Sequence, residues 1–170
     1  MAGRRQEDEA FAAWLASHLA ALRRVARAFA EPADQHDLMQ ELTLALWKAR
    51  PRFRGEAADA TFVHRVAHNA ALTWRRGETR RRRRQDATAA ELALRSGHLG
   101  TPEADLLERL YAAIRTLPPL DRSLILLSLD GLAYGAIAGL HGLTQTNVGA
   151  RLTRIRARLT ILVKEDGDGV

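Results

Sequence analysis

Apolar residues along the chain return at three- and four-residue steps, the period of one helix face. Phe11, Trp14, Leu15, Leu19, Leu22, Val25, Ala26 and Phe29 follow that step and predict an amphipathic helix that stops before Pro32. Asp34 stands where it can cap a second helix, with Leu38, Leu42, Ala45 and Leu46 as its buried stripe and Pro51 just beyond its end. PRFRGEAADA reads as a loop broken by Pro51 and Gly55. A third helix starts at Asp59 or Thr61, buries Phe62, Val66, Ala70 and Trp74, and is expected to end or weaken at Gly77. Residues 85–101 hold no firm period and read as a linker.

Thr101-Pro102-Glu103 is a helix start: a cap, a proline in the first turn and an acid near the positive end of the helix dipole. Its stripe is Leu106, Leu107, Leu110, Tyr111, Ile114 and Leu117. Pro119 opens the next helix and Gly131 closes it. A short helix over 134–140 ends at His141-Gly142. Thr144 then caps a last helix that turns Val148, Leu152, Ile155, Leu159 and Leu162 inward. No strand alternation is sustained and no repeat is evident. The pattern predicts an all-α chain of two small helical domains: residues 1–84, a flexible linker 85–101, and residues 102–170.

Composition narrows the chemistry. In 170 residues, hydrophobic types reach 46%, enough for a core, and the absence of cysteine removes thiol catalysis, iron–sulfur clusters and zinc–thiolate sites. That absence also fits a reducing compartment. No apolar run approaches the roughly 18 residues of a membrane-spanning helix, and the first residues lack a signal peptide's apolar stretch. The expectation is a cytoplasmic protein without membrane insertion.

The net charge of +6 is unevenly spread. Residues 50–84 carry eleven arginines against Glu56, Asp59 and Glu78, a local balance of +8. Residues 131–164 carry five cations and no acid, and the stretch between these blocks is acidic. Two basic blocks suit two separate contacts with a polyanion, although a solvated charged face has the same composition.

The C-terminal half holds the most interpretable geometry. A short helix, a turn containing Gly142 and a capped second helix have helix-turn-helix spacing. The capped end offers Thr144, Gln145, Thr146 and Asn147 to base edges and phosphates, with Arg151, Arg154 and Arg158 on one stripe behind them. An ordinary helical hairpin with solvated arginines shares this period. In the third helix Arg65, His68 or Asn69, Leu72, and Arg75 or Arg76 share a face that runs on into the arginines 80–84. Trp74 suits either stacking on a base or burial at an interface.

Enzymatic readings find little support. His64 and His68 are spaced for a shared metal, but no glutamate follows His64 and no third ligand is evident. Asp37 and Glu41 lie one turn apart without a pocket motif, and neither a phosphate-binding glycine loop nor a nucleophile elbow occurs. No catalysis, cofactor, metal or small-molecule substrate is expected. An RNA-binding module remains a rival that rests on the arginines 80–84 alone.

The stretch DLMQELTLALWKARPRFRGEAADATFVHRVAHNAALTWRRGETRRRRR resembles the second conserved region of bacterial sigma factors, in the two-domain extracytoplasmic-function branch. LYAAIRTLPPLDRSLILLSLDGLAYGAIAGLHGLTQTNVGARLTRIRARL resembles the same family's fourth region, in the right order. The resemblance implies a protein that binds core RNA polymerase and directs it to promoter DNA, with an anti-sigma factor as a further partner. It assigns core-polymerase binding to Asp37, Leu38, Gln40, Glu41, Leu44 and Trp47. The −10 element would be held by Arg52, Arg54, Phe62, His64, Arg65, Asn69, Arg75 and Arg76. Thr144, Gln145, Thr146, Asn147, Arg151 and Arg154 would read the −35 element.

Five positions depart from that family pattern: Phe62 stands where the family usually has tryptophan, Ala150 where it frequently has serine, and three more lie in the fourth region. Ala133 stands where the family has a capping hydroxyl, Gly135 lies in the same short helix, and Gly149 lies inside the recognition helix where lysine is frequent. A divergent DNA-binding regulator or polymerase partner that no longer initiates by itself is the alternative these departures raise.

Overall fold

The computed structural model describes residues 2–53, 59–85 and 102–165. They form seven α-helices: α1 (Ala2–Phe29), α2 (Gln35–Ala49), α3 (Asp59–Gln85), α4 (Pro102–Thr116), α5 (Pro119–Leu129), α6 (Tyr134–His141) and α7 (Gln145–Glu165). Single 3-10 turns at Pro32–Asp34 and Arg50–Arg52 flank α2, and no strand occurs among the described residues. The expected linker, apart from Gln85 at the end of α3, and the Thr101 cap lie outside the described residues.

Helices α1, α2 and α3 pack on one another as a three-helix unit. Leu38, Leu42 and Leu46, at four-residue steps along α2, are fully buried. Each such leucine contributes about 1.5–3 kcal/mol of burial. They meet Leu22, Val25, Ala26 and Phe29 of α1 and Phe62, Val63, Ala67 and Ala71 of α3 in a shared apolar core. In the other unit α7 packs on α4, α5 and α6 through Val148, Leu152, Ile155 and Leu159.

Several expectations need correction. Asp34 occupies the N-cap position of α2, but its side chain makes no capping hydrogen bond. Its backbone (φ −100°, ψ −4°) belongs to the preceding 3-10 turn, not to the extended conformation a capping side chain needs. Gly77 does not end α3, which runs on to Gln85. A lone interior glycine costs only about 1 kcal/mol, which the strong helix formers around it outweigh. The buried arc of α3 is also turned from the predicted stripe. Val63, His64, Ala67 and Ala71 are buried with Phe62, whereas Val66, Ala70 and Trp74 are half-buried. The cause is a second packing partner: α3 meets α5 and α6 as well as α1 and α2. On α4, Leu106 and Leu107 are exposed, because burial starts only at Tyr111, Ala113, Ile114 and Leu117 nearer its C-terminal end.

The two units are in contact, and their buried residues form one continuous cluster. Polar groups stitch the seam. Asp130, just past α5, is ion-paired with Arg24 of α1, and its other carboxylate oxygen lies 3.0 Å from His64 Nε2 of α3. Arg115 donates to the Arg27 carbonyl at 3.1 Å and pairs with Glu31 at 3.3 Å. Arg122 donates from Nε to the Leu117 carbonyl (2.8 Å) and from its Nη atoms to the carbonyls of Ala28 (3.3 Å) and Arg115, lying over the Phe29 ring. Burial, with Arg75 and Arg115 nearby, lowers the Arg122 guanidinium to about 10, so it stays charged at neutral pH.

Candidate polymerase and nucleic-acid interface

Helix α2 presents two unlike faces. The leucines fix one face in the core, which leaves Asp37, Gln40, Glu41, Leu44 and Trp47 exposed on the other. Leu44 and Trp47 keep 44% and 41% of their surface in solvent, a high share for large apolar side chains. Beside them lies a shallow apolar groove of about 430 Å³, floored by Phe11 and Met39 and edged by His36, Gln40 and Thr43. The Trp47 ring is fixed edge-on against Phe11 at 4.8 Å, and Arg50 lies over both Phe11 and Trp14. Leu38, grouped with these residues by the resemblance, is fully buried and offers no surface. A helix cannot turn position 38 outward while Leu42 and Leu46 stay in the core.

The α3 surface is mixed in the same way. Arg65, Asn69 and Arg76 are exposed and Arg75 is half-buried. Phe62 is buried and packs on Phe53 with ring centroids 4.7 Å apart, and His64 is buried against Asp130. Both residues anchor the helix. Arg54 and the Arg52 side chain lie outside the described residues, as do the side chains of the arginines 80–84. Asn69 borders a groove of about 570 Å³ between α2 and α3, which also contains Glu41, Leu44, Lys48, Thr73 and Trp74. His64 and His68 do not point at a common ligand: His64 faces Asp130, while His68 faces Phe29 and His141.

Helices α6 and α7 form the helix-turn-helix. Gly142 ends α6 in the left-handed region (φ 64°), which only glycine adopts without strain, and Leu143 N–H closes the turn onto the Ala138 carbonyl at 2.9 Å. Thr144 Oγ1 then accepts the Asn147 N–H at 3.2 Å, the cap expected from the sequence. Gln145, Thr146 and Asn147 are exposed at this capped end. Arg151 is held on both sides, by Asn147 Oδ1 at 3.0 Å and by Asp121 at 2.9 Å. With Arg154 and Arg158 it lines a cleft of about 220 Å³ against Leu117, Asp121 and Ile155. Ala133, at the start of α6, makes no side-chain cap. A Cβ at Gly149 would meet the Tyr134 ring at 3.6 Å, an ordinary contact, so packing does not require the glycine.

Two models of known families match this chain: Sigma-70 region 2 over residues 14–81 and Sigma-70 region 4 over residues 107–159. Together they cover more than half of it. The chain belongs to the sigma-70 family of RNA polymerase sigma factors. Its relatives place it in the extracytoplasmic-function (ECF) branch. It is 30% identical over 134 residues to the ECF RNA polymerase sigma-E factor of Escherichia coli K12, covering 72% of this chain and 70% of that one. It is 34% identical over 121 residues to the ECF sigma factor SigG of Mycobacterium tuberculosis, covering 65% of this chain and 30% of SigG. In fold, this sigma factor is similar to RpoE of Bartonella quintana, solved with the anti-sigma factor NepR (TM-score 0.70, 23% identity, 92% and 98% of the two chains). It is also similar to CnrH, solved with the cytosolic domain of CnrY (TM-score 0.65, 22% identity, 94% and 90%). A sigma factor binds core polymerase and directs initiation at promoters, and is not itself an enzyme.

Sequence reasoning missed the polar residues that assemble this sigma factor. Arg24, Arg115, Arg122 and Asp130 join the units. Arg156 braces α7 by donating to Ser128 Oγ at 2.8 Å and Tyr134 Oη at 3.3 Å. The one available signal was an arginine at position 122 beside the apolar run Leu124–Leu127, where a buried charge demands partners.

Proposed function

We propose that α2 is the element by which this sigma factor docks on core polymerase. The observation that carries the reading is the pairing of exposed Leu44 and Trp47 with Asp37, Gln40 and Glu41 on one helical face, beside an apolar groove. A partner helix can cover the apolar pair while its cations meet the two acids. Leu38 supports that face from below. Residues 1–84 and 102–170 act as the two functional units, with 85–101 as the tether.

Arg65, Asn69, Arg75 and Arg76, with Arg52 and Arg54 earlier in the sequence, hold the −10 element. Phe62 and His64 serve by fixing α3. Thr144, Gln145, Thr146 and Asn147 read the −35 duplex, where the free backbone N–H groups of the α7 N-terminus also favour a phosphate. Arg151 and Arg154 add cationic contacts, and the Asp121 and Asn147 bonds hold Arg151 in place for its contact. The protein works in the cytoplasm, performs no catalysis and needs no cofactor. Its regulator is an anti-sigma protein, the class of partner bound in the similar structure of Bartonella quintana RpoE.

Run-off transcription with bacterial core polymerase on a library of promoter fragments tests this reading. Transcripts that start at defined sites only when the protein is added support it. Glu41→Lys should abolish them together with core binding, and Arg151→Ala should relax promoter choice. Tight core binding without transcripts would favour the divergent-regulator alternative; no core binding would overturn the docking assignment.

A further inference from the structure

Where α3 meets α5 and α6, the two units share a cleft of about 300 Å³ lined by His64, Arg65, His68, Asn69, Ser123, Leu127, Leu140 and His141. Two histidines face each other across it: His68 of α3 and His141 of α6 stand edge to face with ring centroids 5.3 Å apart. His68 also packs on Phe29 of α1 at 5.7 Å, and its Nδ1 is buried with no hydrogen-bond partner. We propose that the His68–His141 pair is the acid-sensitive part of a latch that holds the two units of the chain closed.

The surroundings of the pair give the latch its sign. From α1 come Arg24 and the Phe29 ring, and from α3 come His64, Arg65 and Asn69. Arg122 and Ser123 come from α5, with Asp130 just beyond it, and α6 supplies His141. Asp130 is the one acid of this group, and Arg24 and His64 already share it. A proton on His68 would thus sit in a low-dielectric seam, facing a second imidazole. Burial first, and His141 second, lower His68 to about 4, and burial lowers His141 as well. Opening would move His68 back towards its ordinary value of 6.5, with Phe29 of its own unit still beside it. Above that value both forms are neutral and closure carries no penalty. As pH falls from 6.5 towards 4, the open form binds the proton more readily and closure weakens. Between pH 7.5 and pH 5, His68 alone raises the open-to-closed ratio by at most about 30-fold.

The consequence for function rests on the assignments above: Arg65 and Asn69, already exposed, line the cleft shared with the C-terminal unit, and opening removes that unit from their side of α3. The latch itself is tested without polymerase. Because the chain has no cysteine, spin labels attach only at introduced sites, such as Ala12→Cys on α1 and Thr160→Cys on α7. Double electron–electron resonance should show one narrow distance at pH 7.5 and a growing long-distance population at pH 5. Asp130→Ala should populate the long distances already at pH 7.5, which makes a rise of up to about 30-fold readable as a population ratio. His68→Gln with His141→Gln should remove that rise while circular dichroism stays helical. A ratio that does not change with pH in either background overturns the proposal. So does a full rise that survives in the double glutamine variant, or an unsubstituted chain that is already open at pH 7.5. None of these outcomes depends on whether α2 binds polymerase.

Discussion

Thr144 and Gly149 sit five residues apart at the start of α7 and act on its stability in opposite directions. The Thr144 hydroxyl satisfies the Asn147 N–H, so Thr144→Ala should cost about 1 kcal/mol and lower the melting temperature by about 2–4 °C. Gly149→Ala should raise stability by about 0.5–1 kcal/mol, since the added methyl meets only the Tyr134 ring at contact distance. Thermal melts of the two variants check both signs. A Gly149→Ala variant that also gains transcription would show that the glycine weakens α7; unchanged transcription would show that it does not limit DNA reading. Caps are local chemistry, and the Thr144 cap was accordingly legible in the sequence. Asp34 has comparable capping chemistry and fails, because a 3-10 turn fixes its backbone first.

At the scale of an element, α2 separates stability from docking. Leu42 is fully buried between α1 and α3, so Leu42→Ala should cost about 2–5 kcal/mol, read as a lower urea midpoint. Glu41, one residue earlier, is exposed, and Glu41→Lys should shift stability by no more than about 0.5 kcal/mol while removing core-polymerase pull-down. Equal losses of stability in both variants would mean that Glu41 supports the fold and not a partner. The four-residue leucine step made the buried face of α2 readable from sequence. On α3 the same kind of reading drifted by about one residue, because periodicity marks the strongest apolar stripe and α3 buries two sides. His64 and His68 lie on the side that meets the C-terminal unit, where a polar side chain hides a buried position from any hydropathy pattern.

For the whole molecule, the contact between units is what the sequence leaves unread. Arg24 and Asp130, or Ala28 and Arg122, are about a hundred positions apart, and no local period relates them. Their partners are charges and main-chain carbonyls, so the seam looks in sequence like any solvated surface. Arg122 is open to a direct test, since its guanidinium answers three carbonyls across both units and lies over Phe29. Arg122→Met keeps much of the side-chain length but leaves those carbonyls without their donor, each unsatisfied group costing about 1–3 kcal/mol when water cannot reach it. Arg122→Lys should rescue only part of the loss, because a single ammonium cannot span three acceptors in the fixed fork geometry of a guanidinium. If the seam couples the units, unfolding of the unsubstituted protein should follow one transition. Arg122→Met should then split it in two, one reported by Trp14, Trp47 and Trp74 fluorescence and the other by Tyr111 and Tyr134. All three tryptophans lie in the N-terminal unit and both tyrosines in the C-terminal one, so the two signals can be followed separately. Coincident transitions in the variant would show that the shared apolar cluster and the remaining seam contacts of Arg24, Arg115 and Asp130 suffice to join the units, and that Arg122 serves only the α4–α5 corner through Leu117 and Arg115.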